Sequence, residues 1–202
     1  MLIKSEYSLI SSQILAEFRE RADNPDFWAN RWSESDLKKF LDKYKKGFLG
    51  NFKYIFGKYL PRDSIIIEAG CGRGQYVTSL QSLGYRVCGL EFCADLVKKV
   101  KNAAPNSFII LGDVRHPPFR DESIGAYISL GVIEHYSDGR DQILLNAYRI
   151  LKKNGILILS VPHFSPAFQK YVRKRNTHIP NHQFNIRKSF YQYYFTVHLP
   201  IS

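Results

Sequence analysis

The sequence predicts an α/β domain: a doubly wound, mainly parallel sheet with helices on both faces, preceded by a helical extension over residues 1–60. Three observations predict it. Between residues 61 and 162, short apolar runs rich in β-branched residues alternate with amphipathic segments, and strands buried on both faces read as such continuous apolar runs. The first of these runs leads into a turn carrying Gly70, Gly72 and Gly74. Upstream, an apolar stripe at the 3.6-residue period extends from Leu37 to Tyr59.

In chain order, Ser35 or Asp36 is placed to cap a helix bearing Leu37, Phe40, Leu41, Tyr44, Phe48, Phe52, Ile55, Phe56 and Tyr59, with most of its lysines off the stripe. Gly47 and Gly50 weaken its middle and predict a kink, and Pro61 closes it. Ser64–Ile67 reads as the first strand. A helix with Tyr76, Val77, Leu80 and Leu83 follows and is ended by Gly84. Arg86–Leu90 is the second strand, Ala94–Ala103 the second helix, Phe108–Leu111 the third strand and Ile124–Leu130 the fourth. Asp138 is placed to cap a helix bearing Ile143, Leu144, Ala147, Ile150 and Leu151. Asn154-Gly155 makes a turn, and Ile156–Val161 is the fifth strand. Residues 163–202 are irregular, aromatic and basic.

The 202 residues are enough for one domain and an extension, and 45% of them are hydrophobic, which excludes a disordered chain. The net charge is +11 and the pI about 9.6. That excess points to an anionic partner such as RNA or a phospholipid surface, or to a solvated lysine-rich face. Cys71, Cys88 and Cys93 are odd in number and lack metal-like spacing, so free thiols in a reducing compartment are expected. The first twenty residues lack a signal peptide's apolar core, and no apolar run reaches a membrane span, so a cytoplasmic protein with no transmembrane segment is expected.

The chemistry concentrates at Ile65-Ile66-Ile67-Glu68-Ala69-Gly70-Cys71-Gly72-Arg73-Gly74. Glycines there permit positive φ and let a ligand lie against the backbone, and the open amides of the next helix add donors. The dinucleotide fingerprint G-x-G-x-x-G fails, because Gln75 stands at its third glycine. Glu68, two positions before the first glycine, would repel a pyrophosphate and attract a cation. The loop suits a cationic ligand bearing an amino acid better than NAD.

This segment resembles the E/D-x-G-x-G-x-G motif of class I S-adenosylmethionine (SAM)-dependent methyltransferases, in their type 11-like branch. The other landmarks of that family fall in step. Glu91 ends the second strand where the family's acidic residue binds both ribose hydroxyls, and a carboxylate suits a vicinal diol. Gly112-Asp113-Val114 ends the third strand where the family reads the adenine edge, and Phe119 matches a following apolar position. Ser129-Leu130-Gly131-Val132-Ile133-Glu134-His135 resembles the segment under the cofactor's methionine end. Leu151-Lys152-Lys153-Asn154-Gly155-Ile156-Leu157 resembles the L-K-P-G-G-x-L turn, with Asn154 replacing the first glycine. The resemblance covers residues 61–162. It implies a Rossmann-like sheet with the cofactor outside the carboxyl ends of the strands. It also implies SAM as cofactor, held by Glu68, Gly70, Gly72, Gly74, Glu91, Asp113, Val114 and Leu130.

The implied reaction is in-line displacement at the sulfonium methyl, with a base needed only if the acceptor must lose a proton. Ser129-Leu130-Gly131-Val132 stands where amino-methyltransferases of adenine and cytosine carry D/N-P-P-Y/F, and no Pro-Cys pair exists for cytosine C5 chemistry. O- or N-methylation of a small molecule is the expected reaction, with RNA as the less favoured acceptor. His135 is the first base candidate, and its alternative reading is a helix cap that shapes the pocket. His163 follows the fifth strand, and His182 is a third candidate. No metal is expected, since Gly131 stands where the plant-type small-RNA 2′-O-methyltransferases carry the first glutamate of E-x-x-E-H. In that family a helix and two strands follow the fifth strand. Here Phe190 to Thr196 resembles the lead-in and the sequence ends at Ser202, so the sixth and seventh strands are expected to be missing. The rival readings are a SAM-binding module or truncated fragment without turnover and, less favoured, an NAD-dependent enzyme. Residues 1–60 are a candidate lid.

Overall fold

A computed structural model describes residues 5–10, 13–18, 25–30, 32–136 and 140–160. Strands β1 (Ser5–Ile10) and β2 (Gln13–Phe18) form an antiparallel hairpin. This corrects the expectation that residues 1–60 are helical throughout. The register sets Tyr7 opposite Ala16 and Leu9 opposite Ile14, which pairs apolar residues across the strands.

Helical structure begins with α1 (Pro25–Ala29) and α2 (Glu34–Asp42). Ser33, rather than Ser35 or Asp36, caps α2. Its Oγ accepts the Asp36 amide at 3.2 Å and donates to the Asp36 carboxylate at 2.6 Å. The expected kink is a break. Single 3-10 turns at Tyr44–Lys46 and Gly50–Phe52 separate α2 from α3 (Lys53–Tyr59), with Gly47 at φ +78 between them. A Cβ at Gly47 would lie 2.7 Å from Leu83, so both the turn and the packing require glycine.

The sheet strands are β3 (Ile66–Ala69), β4 (Val87–Glu91), β5 (Ile109–Leu111), β6 (Ile124–Leu130) and β7 (Leu151–Ser160), linked by α4 (Gln75–Ser82), α5 (Ala94–Ala103) and α6 (Arg140–Ile150). They pair in parallel in the order β5-β4-β3-β6-β7. The order reverses between β3 and β6, and a crevice opens at such a switch point outside the carboxyl ends of the strands. The Asn154-Gly155 turn lies inside β7. Ile124 pairs with Leu151 but Ala126 with Ile156, so residues between them bulge out around Asn154 at φ +61.

Each face of the sheet carries its own core. Ile66, Ala126, Ile128 and Ile158 pack with Leu37, Leu41, Phe56, Val77, Leu80, Leu96 and Val100 from α2 to α5. Ile67, Leu90 and Tyr127 pack with Ile143, Ala147 and Ile150 of α6. Residues adjacent along a strand thus serve opposite cores, which is why the strands lack polar alternation. No described helix is long and apolar enough to cross a membrane. The expectations for the Asp138 cap, His163, His182 and the missing sixth and seventh strands fall outside the described residues.

Candidate functional site

The loop after β3 is built by three glycines with three different jobs. Gly70 (φ +69) lets the chain turn off the strand while its amide donates to the Leu90 carbonyl at 2.8 Å, and a Cβ there would meet Val132 at 2.6 Å. Gly74 (φ +67) caps α4, and a Cβ there would lie 2.7 Å from Ile109. Gly72 (φ +52) differs, since a Cβ there would meet nothing within 4 Å. Two of the glycines are therefore demanded by packing, and the third leaves open space on the loop.

Two buried carboxylates sit beneath this loop. The Glu91 Oε2 accepts the Gly72 amide at 2.9 Å and its Oε1 accepts the Cys93 amide at 3.0 Å. Burial pushes the Glu91 carboxyl up, and the amides of Cys93, Gly72 and Phe92 pull it partly back. A carboxylate offers about four acceptor sites, so these amides leave capacity for a diol. Glu68 accepts the Val77 amide at 3.0 Å and is only 3% exposed. Burial pushes its pKa up to about 8, against the pull of the Val77 amide and with a further push from Glu91.

These elements frame a cleft of about 530 Å³, counted with its open mouth. Gly70 and Gly72 line it at the end of β3, and Glu91, Phe92 and Leu96 at the end of β4. Gly112 and Val114 contribute from the end of β5, and Gly131, Val132, His135 and Tyr136 from the end of β6. Trp28 of α1 reaches it from the N-terminal extension and meets the His135 ring edge-on, with centroids 5.3 Å apart. Helix α1 is held to α5: Cys93 Sγ lies 3.3 Å from the Pro25 carbonyl, and Lys99 Nζ donates to the Ala29 carbonyl at 2.7 Å.

Of the residues singled out from sequence, Gly70, Gly72, Glu91, Val114 and His135 line the cleft together. The other four lie off its lining. Glu68 is behind the loop, and Gly74 packs under Ile109 and Val100. Leu130 packs toward the core on the α4–α5 face. Asp113 is engaged by Arg115, whose backbone amide (2.7 Å), Nε (3.1 and 2.9 Å) and Nη2 (2.6 Å) all donate to the carboxylate. Burial pushes the Asp113 carboxyl up, but the Arg115 hydrogen bonds and charge outweigh that and hold it below the usual carboxylate value. Gly112, Gly131 and Val132, named from sequence only as parts of the strand-end segments, also line the cleft, and sequence reasoning missed Trp28, Phe92, Leu96 and Tyr136. Phe92 was within reach as the neighbour of Glu91. Trp28, far away in sequence, gave no signal.

Residues 67–159 match the methyltransferase-domain family, and that span contains every cleft residue except Trp28. Over that span the chain is similar to SAM-dependent methyltransferase domains. A probable SAM-dependent methyltransferase of Mycolicibacterium smegmatis is 31% identical over 104 residues, covering 50% of this chain and 40% of that protein. The human probable tRNA methyltransferase 9B is 34% identical over 100 residues, covering 48% of this chain and 21% of that protein. The chain thus spans less than half the length of either relative. A crystallised Pyrococcus horikoshii protein shares the fold at a TM-score of 0.53 and 22% identity, over 62% of this chain and 57% of that one. The cofactor that this similarity implies is SAM. The open space at Gly72, the spare acceptor capacity of Glu91 and the apolar surfaces of Phe92, Leu96 and Val114 fit its ribose and purine.

Proposed function

We propose that this chain transfers the methyl group of SAM to an oxygen or nitrogen of a small-molecule acceptor. The observation that carries the reading is the cleft outside the carboxyl ends of the strands, where Gly72 leaves open space beside the Glu91 carboxylate. Bound there, SAM supplies a methyl group already activated toward nucleophiles. The chain's own residues bind, align and exclude water. Glu91 accepts the ribose hydroxyls, Gly70 and Gly72 allow close approach to the backbone, and Val114 with Phe92 and Leu96 holds the base. Glu68 sits behind the loop, where it accepts the Val77 amide and holds the turn into α4 beneath the cofactor site. His135, at the end of β6, takes the acceptor's proton where the acceptor carries one.

Trp28 supports two further parts of this reading. Its contact with His135 narrows the cleft, which suits a compact acceptor. It also supports a role for α1 as a lid whose closure excludes water. Calorimetric titration with SAM and with NAD, followed by transfer of labelled methyl to small alcohols, amines and carboxylates and to tRNA, tests the proposal. We expect SAM to bind, NAD not to bind, and label to appear in a small acceptor. NAD binding would overturn the cofactor assignment. Label in tRNA alone would overturn the acceptor class, and SAM binding without transfer to anything would leave a binding module.

A further inference from the structure

The break between α2 and α3 builds a second feature, independent of the methyl-transfer reading. From Leu37 to Leu60 there are seven lysines and a single acidic residue, Asp42. Four of the lysines, Lys39, Lys43, Lys46 and Lys53, line one open groove of about 1390 Å³ together with Phe48. Asp42 also lines it, but its carboxylate is engaged by Lys45 at 3.1 Å, so the groove's own lysines face little opposing charge. Lys39, Lys46 and Lys53 have no carboxylate partner among the described residues.

Aromatic rings stand among these cations. The Lys43 ammonium lies 4.9 Å from the centres of both the Tyr44 and Phe48 rings. Phe48 is 45% exposed, and Tyr54, one residue beyond Lys53, is 71% exposed. Exposed rings interleaved with lysines are how proteins grip single-stranded nucleic acid: bases stack on the rings and phosphates meet the ammonium groups. A lipid headgroup needs the charge but not the rings. The groove also touches Leu83, beyond the end of α4, whereas the glycine loop enters that helix at Gly74. The eight residues of α4 set the two sites apart by about 12 Å of helix.

We infer that the Lys39–Lys43–Lys46–Lys53 groove, with Phe48 as its stacking platform, is a docking surface for a single-stranded polynucleotide. The test is fluorescence anisotropy of a labelled 20-nucleotide oligouridylate with the full chain at several salt concentrations. Two doubly substituted variants lower the net charge equally. Lys39→Gln with Lys53→Gln removes two of the groove's four lysines, and Lys98→Gln with Lys101→Gln removes two exposed lysines of α5. We expect the groove variant to bind about tenfold more weakly or worse, with the salt slope reduced by about 1.4 for two lost phosphate contacts. The α5 variant is expected to stay within about twofold of the wild type. Phe48→Ala is expected to weaken binding about tenfold with little change in slope. Matching melting temperatures show that the variants are folded. Equal weakening by the two double variants would overturn the site, leaving only net charge. Unchanged affinity in Phe48→Ala would overturn the single-strand reading. No binding to the oligonucleotide, with or without binding to phosphatidylserine vesicles, would overturn the proposal.

Discussion

A Glu68→Gln variant removes one of the two buried carboxyls beneath the loop and keeps its shape, since an amide oxygen can still accept the Val77 N–H that Glu68 accepts at 3.0 Å. Burial raises the Glu68 pKa from 4.5 to about 8. Between those values the folded chain holds a proton that the unfolded chain has lost, so stability falls as pH rises through the window. At 1.36 kcal/mol per unit, the climb from pH 4.5 to 7 removes at most about 3 kcal/mol. For a chain of this size that is roughly 6–12 °C in melting temperature. The variant carries no charge to bury, so it is expected to match the wild type near pH 4.5 and to exceed it by several degrees at pH 8. Glu91 is shifted in the same direction, so part of the slope survives in the variant. Thermal unfolding followed by circular dichroism at pH 5, 6, 7 and 8, without cofactor, measures the difference. Identical slopes in the two proteins, or a wild type that gains stability toward pH 8, would refute the argument that burial dominates at Glu68.

Gly72→Val puts a branched side chain at φ +52 into space that is open in the fold, so it is expected to cost about 1–2 kcal/mol of stability and to abolish measurable SAM binding in titration. Gly70→Ala drives a Cβ to 2.6 Å from Val132 and is expected to lower the melting temperature further, so equal melting of the two variants would undo the division of labour among the glycines. His135→Ala is expected to lower kcat at least about a hundredfold while SAM affinity stays within about threefold, because the ring serves the acceptor; an unchanged kcat would leave His135 as a wall of the cleft. Hydrogen exchange with and without SAM is expected to show added protection over Pro25–Ala29 as well as around the cleft, and protection confined to the cleft strands would count against α1 as a lid.

The parts of this fold that were legible in the sequence are those whose signals are local. Helix α5 runs from Ala94 to Ala103 and β6 from Ile124 to Leu130, the bounds that periodicity and apolar runs predict. The hairpin from Ser5 to Phe18 was not legible as strand, because its apolar residues are diluted by serine and glutamate and compete weakly with a helical reading. Within the site, sequence reasoning located the loop and the strand ends but not the facing of each residue. Gly72 and Gly74 look alike in the chain, yet one borders open space and the other lies under Ile109. Which side of a turn meets a ligand is decided by neighbours from other strands, and so is the arrival of Trp28 from an extension more than forty residues before the first glycine. The division of basic residues into a groove and a merely solvated surface is likewise set by the Gly47 turn and not by composition.

Asp113 is where the resemblance and the geometry pull apart, and the difference can be measured. The family pattern gives this carboxylate the adenine edge. Here it accepts four contacts from Arg115 at 2.6–3.1 Å, one of them from the Arg115 backbone amide in a local turn. The Arg115 carbonyl is held in turn by Asn146 of α6 at 2.7 Å, so the pair is fixed from two sides. A neutral exocyclic amine is a weaker donor than a guanidinium in a forked ion pair and does not displace it. On that argument we expect Asp113 to act by shaping the turn that brings Val114 to the cleft, with discrimination of the base left to the backbone there. Asp113→Ala is expected to weaken binding of SAM and of its hypoxanthine analogue alike, each by about tenfold through loss of the turn, so their ratio stays at the wild-type value. Titration of both ligands against both proteins gives that ratio directly. If the ratio falls to one in Asp113→Ala, the carboxylate reads the exocyclic amine, and Arg115 must release it when the cofactor binds.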